Sequence, residues 1–161
     1  VGHVSIGMMV EVPSAALLAD RFSRLADFFA VGTNDLAHHT LASPRGGAGA
    51  GASPLDPAVL RLLASVTSAA DRAGIPCSLC GDVATSPTGL GLMVGLGFRS
   101  VSVPVTAVRL ARAVVRRIDL GLASRVASDA LDCETSDAVE SLLDERLAPR
   151  LDPLRKQRDR A

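Results

Sequence analysis

Short apolar segments alternate with stretches of helical periodicity along this chain, and this alternation constrains its fold more than any other feature. Nearly continuous apolar runs of four to eight residues are typical of strands buried on both faces of a parallel sheet. The predicted strands cover 4–10, 28–31, 75–79 and 100–103. The predicted helices between and after them cover about 13–25, 57–73, 87–97 and 106–118. The repeated order predicts an α/β fold built from βα units.

Local signals support two of these helices in detail. Asp56 followed by Pro57 is an N-cap followed by a favoured first helical residue, and Gly74 is a typical helix stop. For the first helix, the spacing predicts a buried side made of apolar residues: Ala16, Leu17, Phe22 and Leu25. By contrast, the residues 32–35 after the second strand are turn formers, and we expect a turn there.

Four parallel βα units leave two apolar sheet edges without partners, which natural proteins avoid. Closing such a sheet as a (β/α)8 TIM barrel typically takes about 250 residues. The chain has 161, so we expect residues 1–118 to form the C-terminal half of a TIM barrel. A second copy of the chain covering the edges, giving a homodimer, and a small open sheet are the alternatives.

Beyond residue 118 the pattern becomes helical only. We assign 119–149 to C-terminal helices of the same domain, with a helix over 120–130 and a capping box from Asp137 to Glu140 before the next one. Residues 150–161 carry mainly Arg and Lys charges, and we expect a disordered basic tail.

Composition excludes several classes of function. Lys plus Arg and Asp plus Glu both number 17, and there is no Tyr or Trp, whereas nucleic-acid binding favours excess positive charge and stacking rings. We find no apolar run near the roughly 20 residues that cross a bilayer. Three cysteines and no recognisable secretory leader argue against a disulfide framework. We therefore expect a cytoplasmic protein that binds neither nucleic acid nor membrane.

Polar side chains follow three of the predicted strands, at the end where parallel barrels place their active sites. Glu11 follows the first strand, Asn34 and Asp35 the second, and Cys80 and Asp82 the third. Two converging carboxylates repel each other unless a cation lies between them, and hard oxygen ligands suit Mg²⁺. Ordinary helix-capping or loop roles for these carboxylates are an equally open reading.

Two other motifs give weaker indications of function. Cys77 and Cys80 are three residues apart, so on a strand their side chains lie on opposite faces, which disfavours zinc binding. The glycine-rich stretch 43–53 lacks the Gly-Lys-Ser/Thr ending of a nucleotide-binding loop, and we predict a mobile loop there.

Five motifs in order resemble the C-terminal barrel of phosphoenolpyruvate-utilising enzymes. They are Met9-Val-Glu-Val-Pro13, Phe28-Phe-Ala-Val-Gly-Thr-Asn-Asp-Leu36, Thr40-Leu-Ala-Ser-Pro-Arg-Gly46, Pro54-Leu-Asp-Pro-Ala-Val-Leu60 and Leu79-Cys-Gly-Asp82. The pattern is most similar to the Enzyme I type of the bacterial sugar phosphotransferase system, with pyruvate phosphate dikinase and phosphoenolpyruvate synthase as relatives. The resemblance extends from about residue 6 to 107, and more loosely beyond.

The resemblance implies a role for each matching residue. Glu11 and Asp35 would hold the Mg²⁺ that bridges the phosphate and carboxylate of phosphoenolpyruvate (PEP). Asn34 and Arg45 would contact the phosphoryl group, the arginine as a charge-assisted donor. Cys80 would protonate the methylene carbon of enolpyruvate and so release pyruvate.

The same resemblance implies a partner: a histidine on a separate phosphocarrier domain or protein accepts the phosphoryl group. Phosphoryl transfer depends mainly on positioning and charge neutralisation, which a metal and an arginine provide. The expected activity is therefore Mg²⁺-dependent transfer from PEP to that histidine.

Three departures from the family pattern bear on this expectation. Pro44 stands where the family commonly has Asp, Gly47 where it usually has Asn, and Asp82 where it usually has Glu. The family's other phosphate-binding arginines and its first four strands have no counterpart here. A non-catalytic remnant or interaction module is therefore an alternative. A lyase or aldolase barrel of the citrate lyase or pyruvate aldolase type is another, although it would not require Cys80.

Overall fold

Four parallel strands form one sheet in a computed structural model that describes residues 2, 4–43 and 52–151. The strands are β1 (Gly7–Val10), β2 (Phe28–Gly32), β3 (Cys77–Cys80) and β4 (Ser100–Ser102). Each strand pairs with the next one along the chain. The expected α/β class and the βα order are confirmed, and sequential pairing is the order found along the wall of a (β/α)8 barrel.

Helices connect the strands and continue after the last one. They are α1 (Pro13–Leu17), α2 (Ala19–Phe22), α3 (Thr33–Thr40), α4 (Pro57–Ala73), α5 (Pro87–Gly95), α6 (Val108–Val115), α7 (Leu120–Leu131) and α8 (Ser136–Arg146). Two 3₁₀ turns, Asp82–Thr85 and Val105–Ala107, follow β3 and β4. In the described part of the chain, no helix is long and apolar enough to cross a membrane.

The longest helix, α4, forms as its end signals predict. The Asp56 carboxylate accepts a hydrogen bond of 2.8 Å from the backbone N–H of Ala58, and Gly74 closes the helix with φ of 69°. Leu60, Leu63 and other residues on one side of α4 are fully buried. This apolar side packs on α1, α2 and β2, and it fixes the helical layer beside the sheet.

The predicted helix over 13–25 is wrong in extent, and its predicted buried side is confirmed for Ala16 and Phe22 but wrong for Leu17 and Leu25. The helix is interrupted at Leu18, which has φ of −102° and ψ of 17°. Ala16 and Ala19 are the buried residues of α1 and α2, whereas Leu17 and Leu25 are 67% and 85% exposed. The alanines let both short helices pack on α4, while the leucines extend into solvent.

Strand β1 is also less buried than its apolar sequence predicts. Val10 is fully buried, but Met9 is 49% exposed. Met9 lies between Met8 and Val10 in β1 and therefore points to the opposite face of the sheet. Met8 and Val10 pack in the buried core, whereas Met9 is not part of it.

Two helix starts differ from the sequence expectation. The residues predicted as a turn after β2 instead begin α3 at Thr33, because Thr, Asn and Asp favour the first turn of a helix as well as turns. Helix α8 is capped by Thr135, whose hydroxyl accepts from the N–H of Ala138 at 3.1 Å. The capping box predicted from Asp137 is therefore wrong.

The C-terminal helices pack on the sheet-bound layer through α5. A Cβ built on Gly95 of α5 would lie 2.2 Å from the carbonyl oxygen of Ala123 in α7, so only glycine allows this approach of the two backbones. Helix α8 in turn packs on α7 and α5. The predicted basic tail lies, except for its first two residues, outside the described residues.

Candidate active site

The C-terminal ends of β1, β2 and β3 lie side by side. Val10 is in register with Val31, and Gly32 is in register with Cys80. The residue that follows Val10 is Glu11, so Glu11, Gly32 and Cys80 occupy one row across three neighbouring strands. We call this row and the residues that follow it the C-terminal edge.

The Glu11 side chain lies against the end of β2. A Cβ built on Gly32 would be 3.2 Å from Glu11 Oε2 and 3.3 Å from Glu11 Cβ. The absence of a side chain at Gly32 therefore leaves the space that the carboxylate occupies. Glu11 is half-buried, which places one oxygen-rich group directly beside the sheet.

Asn34 and Asp35 occupy the first turn of α3, which begins immediately after β2. Asn34 is exposed and Asp35 is half-buried. The N-terminus of a helix carries a partial positive charge, which stabilises a carboxylate at this position. Both residues thus belong to the C-terminal edge, three and four residues from Val31.

Cys80 is the last residue of β3. Its Sγ lies 3.4 Å from the carbonyl oxygen of Val31, to which the thiol donates, and its own carbonyl accepts from Thr33 Oγ1 at 3.1 Å. These contacts hold a half-buried thiol at the edge, two strands from Glu11. Cys77, at the other end of β3, is a free thiol whose pKa is raised by burial to about 11.

Asp82 is a residue of this edge to which sequence reasoning gave a position after the third strand but no role in the site. Its carboxylate Oδ2 accepts from Asn34 Nδ2 at 3.0 Å, and its backbone N–H donates to Asn34 Oδ1 at 3.1 Å. The two residues are 48 positions apart in the chain. Nothing in the linear spacing signals this pair.

Arg45 lies outside the described residues, as do Pro44 and Gly47. Glu11, Asn34, Asp35 and Cys80 all lie in the described part of the C-terminal edge.

The donor set at the edge fits a hard divalent cation. Among the described residues, no group of three or more His, Cys, Asp or Glu side chains gathers as a metal cage. Mg²⁺ usually needs no such cage, because it keeps several waters and binds one or two carboxylates together with substrate phosphate oxygens. Glu11 on one strand end and Asp35 after the next supply two such carboxylates.

The edge therefore combines three kinds of group: carboxylates suited to a cation, an amide N–H that can donate to an anion, and a thiol that can give a proton. Electrostatic stabilisation of an anionic group next to a proton donor is the chemistry available to this arrangement.

Comparison with known proteins agrees with this interpretation of the C-terminal edge. Residues 2–120 match the family model described as PEP-utilising enzyme, PEP-binding domain. Over 147 residues the chain is 38% identical to the phosphoenolpyruvate-protein phosphotransferase of Mycoplasma capricolum, covering 90% of this chain and 26% of that protein. The proteins of the same name from Enterococcus faecalis and Geobacillus stearothermophilus are each 35% identical, over 145 and 142 residues.

The match covers very different shares of this chain and of its relatives. Nearly the whole chain aligns, but it spans only about a quarter of the length of the curated relatives it matches. The matched family model covers most of the chain, including all four strands and the C-terminal edge. The chain belongs to the family of PEP-utilising enzymes, within their PEP-binding domain.

Proposed function

We propose that this chain is the second half of the PEP-binding barrel of a cytoplasmic phosphoenolpyruvate–protein phosphotransferase. The observation that carries the proposal is the row of Glu11, Gly32 and Cys80 across three strand ends. It is supported by the family match over the same strands. The substrate is PEP, and the product released is pyruvate.

We assign the two open sheet edges to the remaining βα units of that barrel. Near β1, Ile6 is 71% exposed, and after β4, Val105 is 85% exposed. In the described chain, β1 and β4 each pair on one side only. Apolar sheet edges are usually covered in native proteins, and four further strands would close the barrel.

In this function, Glu11 and Asp35 would hold Mg²⁺. The ion would supply positive charge that offsets the negative charge of PEP. The position of Glu11 against Gly32, close to the start of α3, supports a shared ligand role for the two carboxylates.

The reacting groups then have separate tasks. Asn34 and Arg45 bind the phosphoryl group by donating hydrogen bonds to its oxygens. The bond between phosphorus and the enolpyruvate oxygen breaks, and a bond from phosphorus to a histidine nitrogen of another domain or protein forms. Cys80 gives its thiol proton to the methylene carbon of enolpyruvate, pyruvate leaves, and the thiolate regains a proton from water.

The binding half of this proposal is tested by titrating the chain with PEP, followed by NMR, with and without Mg²⁺. We expect binding at least about tenfold weaker without the ion, a difference of about 1.4 kcal/mol. Glu11→Gln should show the same loss, because the amide keeps the size but removes the charge. Glu134→Gln, in an exposed position between α7 and α8, is the matched control.

The proton-transfer half of the proposal is tested by measuring exchange of the pyruvate methyl protons with deuterium from D₂O. Cys80→Ala should bind PEP as before and lose the Mg²⁺-dependent exchange, whereas Cys133→Ala should keep it. PEP binding that is unaffected by Mg²⁺ and by the Glu11→Gln substitution would refute the metal assignment. No binding at all would favour the non-catalytic interaction module.

A further inference from the structure

We propose that Asp82 is a positioning residue that holds the Asn34 side-chain amide in one orientation, with one N–H left to donate to an anionic ligand. The identity of that ligand, a phosphoryl group, rests on the function proposed above. The orientation of the amide does not.

The contact between the two residues has two points. The backbone N–H of Asp82 donates to Asn34 Oδ1 at 3.1 Å, and Asn34 Nδ2 donates to Asp82 Oδ2 at 3.0 Å. Both atoms of one amide thus bind one residue on the adjacent strand end. A single contact would leave the side chain free to rotate about the line joining the two atoms, whereas two contacts fix its plane.

The chemistry of the two partners also excludes the flipped amide. A backbone N–H can only donate, and a carboxylate can only accept. Turning the amide over would set Nδ2 against the N–H of Asp82 and Oδ1 against its carboxylate. Both pairs would then repel, so the orientation follows from donor and acceptor types alone.

This arrangement uses one of the two Nδ2 hydrogens. The hydrogen on the same side as Oδ1 reaches Asp82, because both amide atoms face that residue. The other hydrogen points away from Asp82, and Asn34 is exposed. It is therefore a fixed donor at the C-terminal edge.

The backbone on both sides of the contact is held separately. Thr33, beside Asn34, donates from Oγ1 to the carbonyl of Cys80 at 3.1 Å. Gly81, beside Asp82, has φ of 132°, and a Cβ there would lie 2.9 Å from Asn34 Oδ1. The ends of β2 and β3 are thus held close together at the position of the Asn34 side-chain amide.

A donor fixed before binding lowers the cost of binding. Immobilising a mobile side chain at an interface costs roughly 0.5–1.5 kcal/mol, which corresponds to about two- to tenfold in affinity. Removing the Asp82 carboxylate should therefore weaken binding of an anion by about that factor without removing the donor itself.

The first measurement needs no ligand. NMR relaxation of the Asn34 side-chain ¹⁵N group should report a rigid amide in the unmodified chain and a mobile one in Asp82→Ala. Asp82→Asn keeps the size and offers an acceptor oxygen, so it should restore rigidity. Equal rigidity in all three chains, or no rescue by Asp82→Asn, would overturn the proposal.

The second measurement is a double-mutant cycle with PEP and Mg²⁺. Asp82→Ala should weaken PEP binding about two- to tenfold in the unmodified chain but have no further effect in an Asn34→Ala background. Additive losses would mean that Asp82 acts independently of Asn34 and would refute the proposal. Asp119→Ala, which removes the cap of α7 at Leu122 N–H, should lower stability without changing PEP affinity.

The two proposals fail in different ways. If PEP does not bind the unmodified chain, the proposed function fails, and the relaxation measurement still decides whether Asp82 holds the amide. If PEP binds but the amide of Asn34 is equally mobile with and without the Asp82 carboxylate, only the positioning role fails.

Discussion

At the scale of single residues, Gly81 carries a constraint that no other residue type satisfies. Its φ of 132° belongs to the region that L side chains rarely adopt, and a Cβ there would lie 2.0 Å from Thr33 Oγ1. The hydroxyl of Thr33 already binds the Cys80 carbonyl. The close approach of the two strand ends therefore depends on glycine at this position.

Gly81→Ala should lower the free energy of unfolding more than Gly74→Ala. Both glycines have positive φ, but a Cβ on Gly74 meets nothing within 4 Å. Gly74→Ala should cost about 1 kcal/mol for conformation alone, and Gly81→Ala about 2–4 kcal/mol because steric strain is added. Urea unfolding of the two variants gives both values. Equal losses would show that the space around Gly81 adapts freely.

Part of the site can be predicted from the sequence because the order of the strands determines which residues lie at the C-terminal edge. Glu11 and Cys80 each end or follow an apolar run, and carboxyl ends of neighbouring parallel strands meet at one edge of a sheet. The contact of Asn34 with Asp82 could not be predicted in this way. It depends on the backbone angle at Gly81 and on α3 beginning at Thr33 rather than after a turn, and neither is encoded in residue spacing.

At the scale of elements, the ends of helices with capping residues can be predicted from the sequence. Which side of a helix is buried is harder to predict. The bounds of α4 follow from Asp56, Pro57 and Gly74, because each residue satisfies a local requirement of backbone geometry or hydrogen bonding. The exposure of Leu17 and Leu25 could not be predicted from periodicity. A helical repeat gives the side on which apolar residues lie, but burial requires an element to cover that side.

The local cap of α4 gives a prediction at this scale. Asp56→Ala removes the hydrogen bond to the N–H of Ala58 and should lower the free energy of unfolding by about 1 kcal/mol. Asp71→Ala, in the last turn of the same helix, should be neutral or slightly stabilising, because a carboxylate there opposes the helix dipole. Thermal or urea unfolding of both variants makes the comparison. A larger loss in Asp71→Ala would contradict this account of the helix ends.

At the scale of the whole molecule, apolar side chains are divided between a filled core and uncovered edges. Phe29, Val31 and Leu79 of the central strands are fully buried, together with the inner side of α4. Val4 and Ile6 before β1, Leu25 between α2 and β2, and Val105 after β4 are more than two-thirds exposed. Exposed apolar side chains of this kind are covered where a partner surface packs on them, and the further barrel strands of the proposed function would be such a surface.

The same substitution at a covered and an uncovered leucine tests this division. Leu63→Ala, in the core, should lower the free energy of unfolding by about 2–5 kcal/mol, and Leu25→Ala, which is 85% exposed, by less than about 0.5 kcal/mol. Leu25→Ala should also reduce binding of a hydrophobic dye, because apolar surface is removed. A large loss in Leu25→Ala that grows with protein concentration would instead mean that a second copy of the chain covers Leu25. The contrast is informative because both substitutions remove the same atoms, and the difference in helix propensity between Leu and Ala is small beside the cost of emptying a buried site.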